Sequence, residues 1–276
     1  MKRVLLCVSY DGTGYSGSQV QKNARTIEGE LNKALSDLTG QNTEVIGASR
    51  TDAGVHSLSS MFVFDTDMRM PADRFSYALN TYLPDDVRVV YSKEVPPDFH
   101  PRHVNTLKTY EYHIYNVFFM PPTKRLYAFH EKRPLDVSLM NEGGKFLIGE
   151  HDFKSFCSAD TVSLSTVRII TDLKVFKEGD EVIISVTGQG FLYNQVRIIA
   201  GTLMWVGLGV RKPSDVCNIL NACDRSFSGP TAPANGLILK NFQFLDFPLD
   251  TEHLRVRYQG MRTQLVCPTT APVKAY

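Results

Sequence analysis

Between Gly47 and His56 the chain reads Gly-Ala-Ser-Arg-Thr-Asp-Ala-Gly-Val-His, which sets one carboxylate, Asp52, beside a fixed cation and among small residues. The apolar Val45 and Ile46 before it suit a strand, and Ala53-Gly54 suits a sharp turn that admits another molecule's backbone. Asp52 is therefore expected at a loop tip. Arg50, two residues earlier, can pair with a carboxylate or a phosphate, and either partner would hold Asp52 ionised near neutral pH. Taken alone, Arg-Thr-Asp reads as a salt-bridged surface turn whose pairing contributes roughly 0 to 1 kcal/mol. The flanking residues tip the reading toward chemistry.

Hydrophobic spacing gives the elements that must hold this loop. Residues 3–9 read as a buried strand, followed by a Gly-rich loop over 11–18 and an extended segment ending near Arg25. Ile27, Leu31, Ala34, Leu35 and Leu38 share one face of a helix that starts at Thr26 and ends at Gly40. Strands near 43–48 and 58–66 flank the Asp52 loop. A second helix starts at Pro71 with Phe75, Ala78, Leu79 and Tyr82 inward, and a strand near 87–95 completes the unit. This order is the split βαβ, or ferredoxin-like, pattern. Pro96, Pro97 and Pro101 mark a linker.

A second unit then repeats the theme with insertions: a strand over 106–116, a helix near 136–148 and a hairpin of strands near 166–176 and 181–187. A helix over 191–208, a short helix after Pro213 and a strand over 237–244 follow. The expected fold is α+β, with two ferredoxin-like units sharing one mixed, mostly antiparallel sheet and helices packed on one face. Residues 1–102 would carry the Asp52 loop, 103–246 would complete a cleft, and 247–276 would be an extension whose tail beyond about Leu265 is mobile.

At 276 residues, 43% hydrophobic and 21% charged, the chain has the make-up of an ordinary globular protein. Its net charge of +1 does not announce a nucleic-acid partner, although a basic cleft balanced by acidic outer faces gives the same total. Five cysteines with no Cys-x-x-Cys pair argue against a disulfide framework or a structural zinc site. The apolar stretch at Val4–Val8 is too short for a secretion signal, and no apolar run approaches a membrane span, so a cytoplasmic location is expected.

Two tempting features are weaker than they look. Gly12-Thr13-Gly14-Tyr15-Ser16-Gly17 is formally G-x-G-x-x-G, yet a dinucleotide site needs those glycines to open a helix, and the helix here waits until Thr26. A loop that lets backbone amides, Gln19 or Gln21 approach RNA phosphates fits better. His151-Asp152 with Cys157 has no supporting ligand spacing for a metal. On a strand, Tyr110 shares a face with Lys108, Tyr112 and Ile114, and by itself reads as a core residue. Arg197 falls beside the stripe Val196, Ile199, Ala200, Leu203 and Met204, where an Arg is normally solvated.

The run Ser49–His56 resembles the signature of the TruA-type bacterial tRNA pseudouridine synthases, and further blocks follow in the family's order. These are Tyr10-Asp11-Gly12-Thr13 with Gly17, Gln19 and Gln21, Thr26-Ile27-Glu28, Lys108-Thr109-Tyr110, Thr166-Val167-Arg168 and Asn194-Gln195-Val196-Arg197. The resemblance spans nearly the whole chain. Ser18 departs from it, since many relatives carry an aromatic there, as does Asn194-Gln195; both departures are expected to affect the grip on RNA and to leave the chemistry alone. The resemblance implies uridine-to-pseudouridine isomerisation in the anticodon stem-loop of tRNA, at tRNA positions 38, 39 and 40, with no cofactor and no metal. It makes Asp52 the nucleophile, attacking either the sugar C1′ or uracil C6. It puts Tyr110 against the target uracil and Arg197 on the catalytic Asp; Arg50 is a further candidate for substrate binding, and Gln19, Gln21, His56 and Lys108 are candidate RNA contacts, with a structural role the alternative for His56. It also implies a homodimer. Two other classes compete: a non-catalytic RNA chaperone on the same modules, and the dinucleotide-dependent oxidoreductase.

Overall fold

The structure is a computed structural model that describes residues 1–158 and 164–247. The C-terminal extension, with its expected mobile tail, lies outside the described residues. Ten strands and five α-helices are found among the described residues. In the N-terminal half these are β1 (Lys2–Tyr10), α1 (Ile27–Thr39), β2 (Ile46–Gly47), β3 (His56–Thr66), α2 (Phe75–Leu79) and β4 (Val87–Val95). In the C-terminal half they are β5 (Thr106–Tyr115), β6 (Phe129–His130), α3 (Val137–Gly144), β7 (Gly149–Asp152), β8 (Val167–Glu178), β9 (Glu181–Gly188), α4 (Gln195–Gly207), α5 (Asp215–Ala222) and β10 (Leu237–Phe244).

All ten strands form one sheet with the main order β4-β1-β3-β10-β5-β9-β8-β7, with β2 pairing β3 and β6 pairing β5 at the sides. Most pairings are antiparallel. The two halves meet where β10 runs parallel to β3, through Ile238 opposite His56 and Leu239 opposite Ser57. That seam brings the start of β3, and with it the loop carrying Asp52, beside β5.

Two apolar cores fix the layers. In one, Ile27, Leu31 and Leu35 of α1 and Phe75 and Leu79 of α2 pack on Val4, Leu6 and Val8 of β1 and Phe62 and Phe64 of β3. The other joins Tyr112 and Ile114 of β5 and Ile184 and Val186 of β9 to Ile199 and Leu203 of α4 and Ile219 of α5. The start of α1 is set by Thr26, whose Oγ1 accepts the Gly29 amide at 3.2 Å, and its end by Gly40 at φ 70°.

The local differences from the expected elements have local causes. The chain after Pro71 makes a 3₁₀ turn at Ala72–Arg74, and α2 is a short piece. It stops before Tyr82, whose ring is 49% exposed where an inward ring was expected. After Leu79 the chain tightens into turns in which the Thr81 amide donates to Ala78 O and the Tyr82 amide to Leu79 O, and Pro84 bars helix at the residue before it. The strand expected near 43–48 shrinks to Ile46–Gly47. The helix expected from 191 begins at Gln195, because Asn194 takes a left-handed φ of 61° after a turn in which Leu192 O accepts the Gln195 amide.

Candidate active site

Asp52 lies in the loop Ala48–Val55 between β2 and β3. Its carbonyl accepts the Val55 amide at 3.2 Å, closing a turn whose third residue, Gly54, has φ 77°. That conformation is open to glycine at no steric penalty, as the Ala-Gly pair suggested.

The Gly-rich segment 11–18 folds around this loop. A Cβ on Gly12 would overlap the Val55 carbonyl, and one on Gly17 would come within 2.9 Å of the Thr51 carbonyl. Four of its amides are engaged within the protein: Gly12 N–H donates to His56 Nδ1, Thr13 N–H to Asp11 Oδ1, Ser16 N–H to Arg25 O and Ser18 N–H to Thr51 O. Those four donors are spent inside the protein rather than on RNA phosphates, and Gly12 and Gly17 serve close approach of the segment to the Asp52 loop.

The partner of Asp52 is Arg197, in the first turn of α4. Its NH1 lies 3.4 Å from Asp52 Oδ2 and also donates to Asn194 Oδ1 at 2.7 Å, while its Nε donates to the Ala232 carbonyl at 2.7 Å. Two short bonds hold the guanidinium independently of the acid, and the longer third contact leaves the carboxylate available. Burial pushes the Asp52 carboxyl above the ordinary range, and the Arg197 charge opposes it without cancelling it. Arg50, which the spacing offered as the partner, is exposed and forms no ion pair with Asp52 among the described residues.

Asp52 opens onto a cleft of about 900 Å³ that spans both halves of the sheet. The cleft is lined by Tyr110 and Lys108 of β5, Arg50, Gln19, Gln21 and Arg197. Tyr110 packs edge-on against Phe191 with ring centroids 5.2 Å apart, and burial raises its hydroxyl pKa. Tyr112 keeps the core role, its hydroxyl donating to the Pro233 carbonyl at 2.9 Å. Lys108 sits 5.2 Å from the Phe242 ring centre, and burial, reinforced by the Arg168 charge, lowers its pKa to about 8. His56 lies elsewhere. It is 4% exposed behind the Asp52 loop, with Nδ1 accepting the Gly12 amide and Nε2 against the Leu126 carbonyl, and it does not line this cleft.

Two cations of the wall, Arg102 and Arg168, were not picked out as site residues. Arg168 stands in the Thr-Val-Arg block, which was a usable signal. Arg102 follows the linker prolines and reaches the cleft by bonding the Gly47 carbonyl at 2.7 Å, a tertiary contact with no local signature. Arg50, Arg102, Lys108, Arg168 and Arg197 thus surround the single carboxylate of Asp52, and the near-neutral net charge conceals a strongly basic cleft. Of the superficial metal set, His151 Nε2 meets the Ile148 carbonyl and Asp152 Oδ1 accepts the Lys154 amide.

An acid paired with arginine thus shares with an aromatic ring a basic cleft at the seam of the two halves of one α+β sheet, a site of the kind that suits a polyanion. The family model described as tRNA pseudouridine synthase matches residues 6–103 and 145–244. The chain is 45% identical over 239 residues to the tRNA pseudouridine synthase A of Thermoanaerobacter sp., covering 87% of this chain and 98% of that protein. It is 47% identical over 241 residues to tRNA pseudouridine synthase A 2 of Clostridium tetani, covering 87% and 97%. To the tRNA pseudouridine synthase A of Brevibacillus brevis it is 45% identical over 239 residues, covering 87% and 98%. The chain belongs to the tRNA pseudouridine synthase family, whose members are isomerases.

Proposed function

We propose that the protein converts uridine to pseudouridine in the anticodon stem-loop of tRNA, with Asp52 as nucleophile. What carries the reading is the Asp52–Arg197 pair, set opposite Tyr110 inside a cleft walled by cations. The reaction is an isomerisation. The Asp52 carboxylate attacks the nucleoside at C1′ or C6, the C1′–N1 bond breaks, the uracil turns, C5 bonds to C1′, and the bond between Asp52 and the nucleoside breaks to free the carboxylate. The proton leaving C5 is balanced by one gained at N1.

The target base starts stacked in an RNA stem and must be extruded, which costs a few kcal/mol. Arg50, Arg102, Lys108 and Arg168 on the phosphates offset that cost, while Tyr110 presents its ring to the uracil. Arg197 lies against Asp52 and favours its ionised form. A cytoplasmic location and a homodimer complete the reading, and sedimentation of the purified chain measures the latter.

The decisive experiment is Asp52→Asn assayed by tritium release from tRNA labelled at uracil C5. Turnover is expected to vanish while tRNA binding stays close to that of the parent. A fully active Asn variant overturns the reading.

A further inference from the structure

We propose that Ser18 and Tyr10 are positioning residues for the reaction, acting on Asp52 through its neighbour Thr51. The inference rests on the reading of Asp52 as nucleophile.

Asp52 itself is lightly held, since its carboxylate has the single 3.4 Å contact with Arg197 among the described residues. Its aim must therefore come from the backbone on which it stands. Thr51 supplies that backbone, and every polar group it owns is tied. Its N–H donates to Ser18 Oγ at 2.9 Å, its carbonyl accepts the Ser18 N–H at 3.1 Å, and its Oγ1 shares a 2.8 Å hydrogen bond with Tyr10 Oη. Ser18 is fully buried, Tyr10 is 4% exposed and Thr51 is 8% exposed, so water does not compete for these bonds.

The far side of the clamp is rigid. The Ser18 carbonyl accepts the Glu28 amide at 2.9 Å, and the Gly17 carbonyl accepts the Ile27 amide at 3.4 Å, so the segment is bonded to the first turn of α1. That helix is anchored by Ile27, Leu31 and Leu35 in the core. Tyr10 ends β1, in the interior of the sheet. Thr51 thus hangs between a helix start and a central strand, and the order of both elements is passed to the adjacent carboxylate.

A serine at position 18 is what makes this possible, because the clamp needs a short side chain with an acceptor oxygen at zero exposure. The sequence reading assigned Ser18 an effect on RNA grip and none on chemistry. The structure places its hydroxyl in the cleft wall, buried and bonded to the amide of the residue before Asp52.

The test uses the full chain with tRNA transcript tritiated at uracil C5, measuring single-turnover rate, tRNA affinity and thermal midpoint for each variant. Because a displacement of about 1 Å in a reacting group costs on the order of a hundredfold in rate, Ser18→Ala and Thr51→Val are expected to slow turnover by roughly tenfold to a hundredfold. Affinity for tRNA should stay within about twofold of the parent, since both hydroxyls are uncharged and spent on hydrogen bonds inside the protein. Thr51→Ser keeps the hydroxyl and should restore most of the rate. Tyr10→Phe removes one oxygen and should slow turnover in the same direction. The Ser18→Ala/Tyr10→Phe pair should lose less than the product of the single losses, both acting through Thr51.

Parental turnover in folded Ser18→Ala and Thr51→Val, or a loss confined to tRNA affinity, overturns the proposal. If Ser18→Ala does not fold, Tyr10→Phe alone decides in the same way. An active Asp52→Asn would instead remove the reading beneath it, whereas inactive Asp52→Asn beside full-speed clamp variants removes the clamp alone.

Discussion

Asp52 and Arg197 set the pH response of the site. Burial raises the Asp52 carboxyl and Arg197 pulls it back, so loss of activity on acidification should begin at a higher pH than for an ordinary carboxylate. In Arg197→Met the opposing charge is gone, and the acid limb of kcat should move further up; a limb that stays put or moves down would contradict the pairing. The same shift has a sign for stability. A carboxyl raised in the folded state favours folding when protonated, a contribution present below its unfolded value and lost as pH rises through the folded one. At neutral pH the ionised acid therefore weighs against the fold, and Asp52→Asn should melt at the same temperature as the parent or higher, compared at pH 5 and pH 8 by thermal scans. Lys108 acts at the other end: with a pKa near 8, its charge fades on mild alkalinisation, and KM for tRNA should rise there in the parent but not in Lys108→Met. At this scale the sequence revealed the acid because a turn-forming Ala-Gly follows it, and the adjacent Arg50 drew attention that belonged to Arg197. Nothing in spacing alone tells which of two arginines, 2 or 145 residues away, meets a carboxylate; only the seam between β3 and β10 decides it.

Elements hold the site by backbone contact, and glycines mark where. In Gly12→Ala the new methyl meets the Val55 carbonyl, which the rest of the Asp52 loop keeps in place. Overpacking of this kind destabilises by about 1–3 kcal/mol and displaces the loop, so thermal midpoint and kcat should fall together. Gly201 in α4 is the instructive comparison. Propensity alone favours alanine at a mid-helix position by about 0.8–1.0 kcal/mol. Yet the Pro230 carbonyl occupies the place of its Cβ, so Gly201→Ala should lower the melting midpoint. A rise would show that the contact relaxes without penalty. The periodicities of α1 and of the long strands were readable because each buries one face against a single layer. The start of α4 was misread for a related reason: Leu192, 6% exposed, lies in the same core as the helix stripe, although it reaches that core from a turn. An apolar position in step with a helix does not distinguish helix from a turn that buries the same side chain. Tyr82 failed the opposite way, being in register with Phe75 and Leu79 but lying in the turn that follows α2, where the Tyr82 amide donates to Leu79 O.

For the whole molecule, charge placement matters more than charge total. A net +1 offers little long-range steering, whereas five cations around one carboxylate concentrate the attraction in the cleft. If the four that do not hold Asp52 meet phosphates, counterion release lowers the logarithm of affinity by about 0.7–0.9 per contact for each unit of log salt. Raising salt from about 50 to about 200 mM should then weaken tRNA binding by roughly fiftyfold to a hundredfold or more. The single carboxylate should leave that slope nearly untouched, so Asp52→Asn and the parent should give parallel lines in filter binding across the salt series. Removing one cation away from Asp52, as in Arg168→Ala, should flatten the slope by about one contact's worth while lowering affinity for every tRNA alike. A salt-independent affinity, or a slope unaltered by Arg168→Ala and Lys108→Met together, would mean that the RNA is held on another surface and that the basic wall around Asp52 serves a different polyanion.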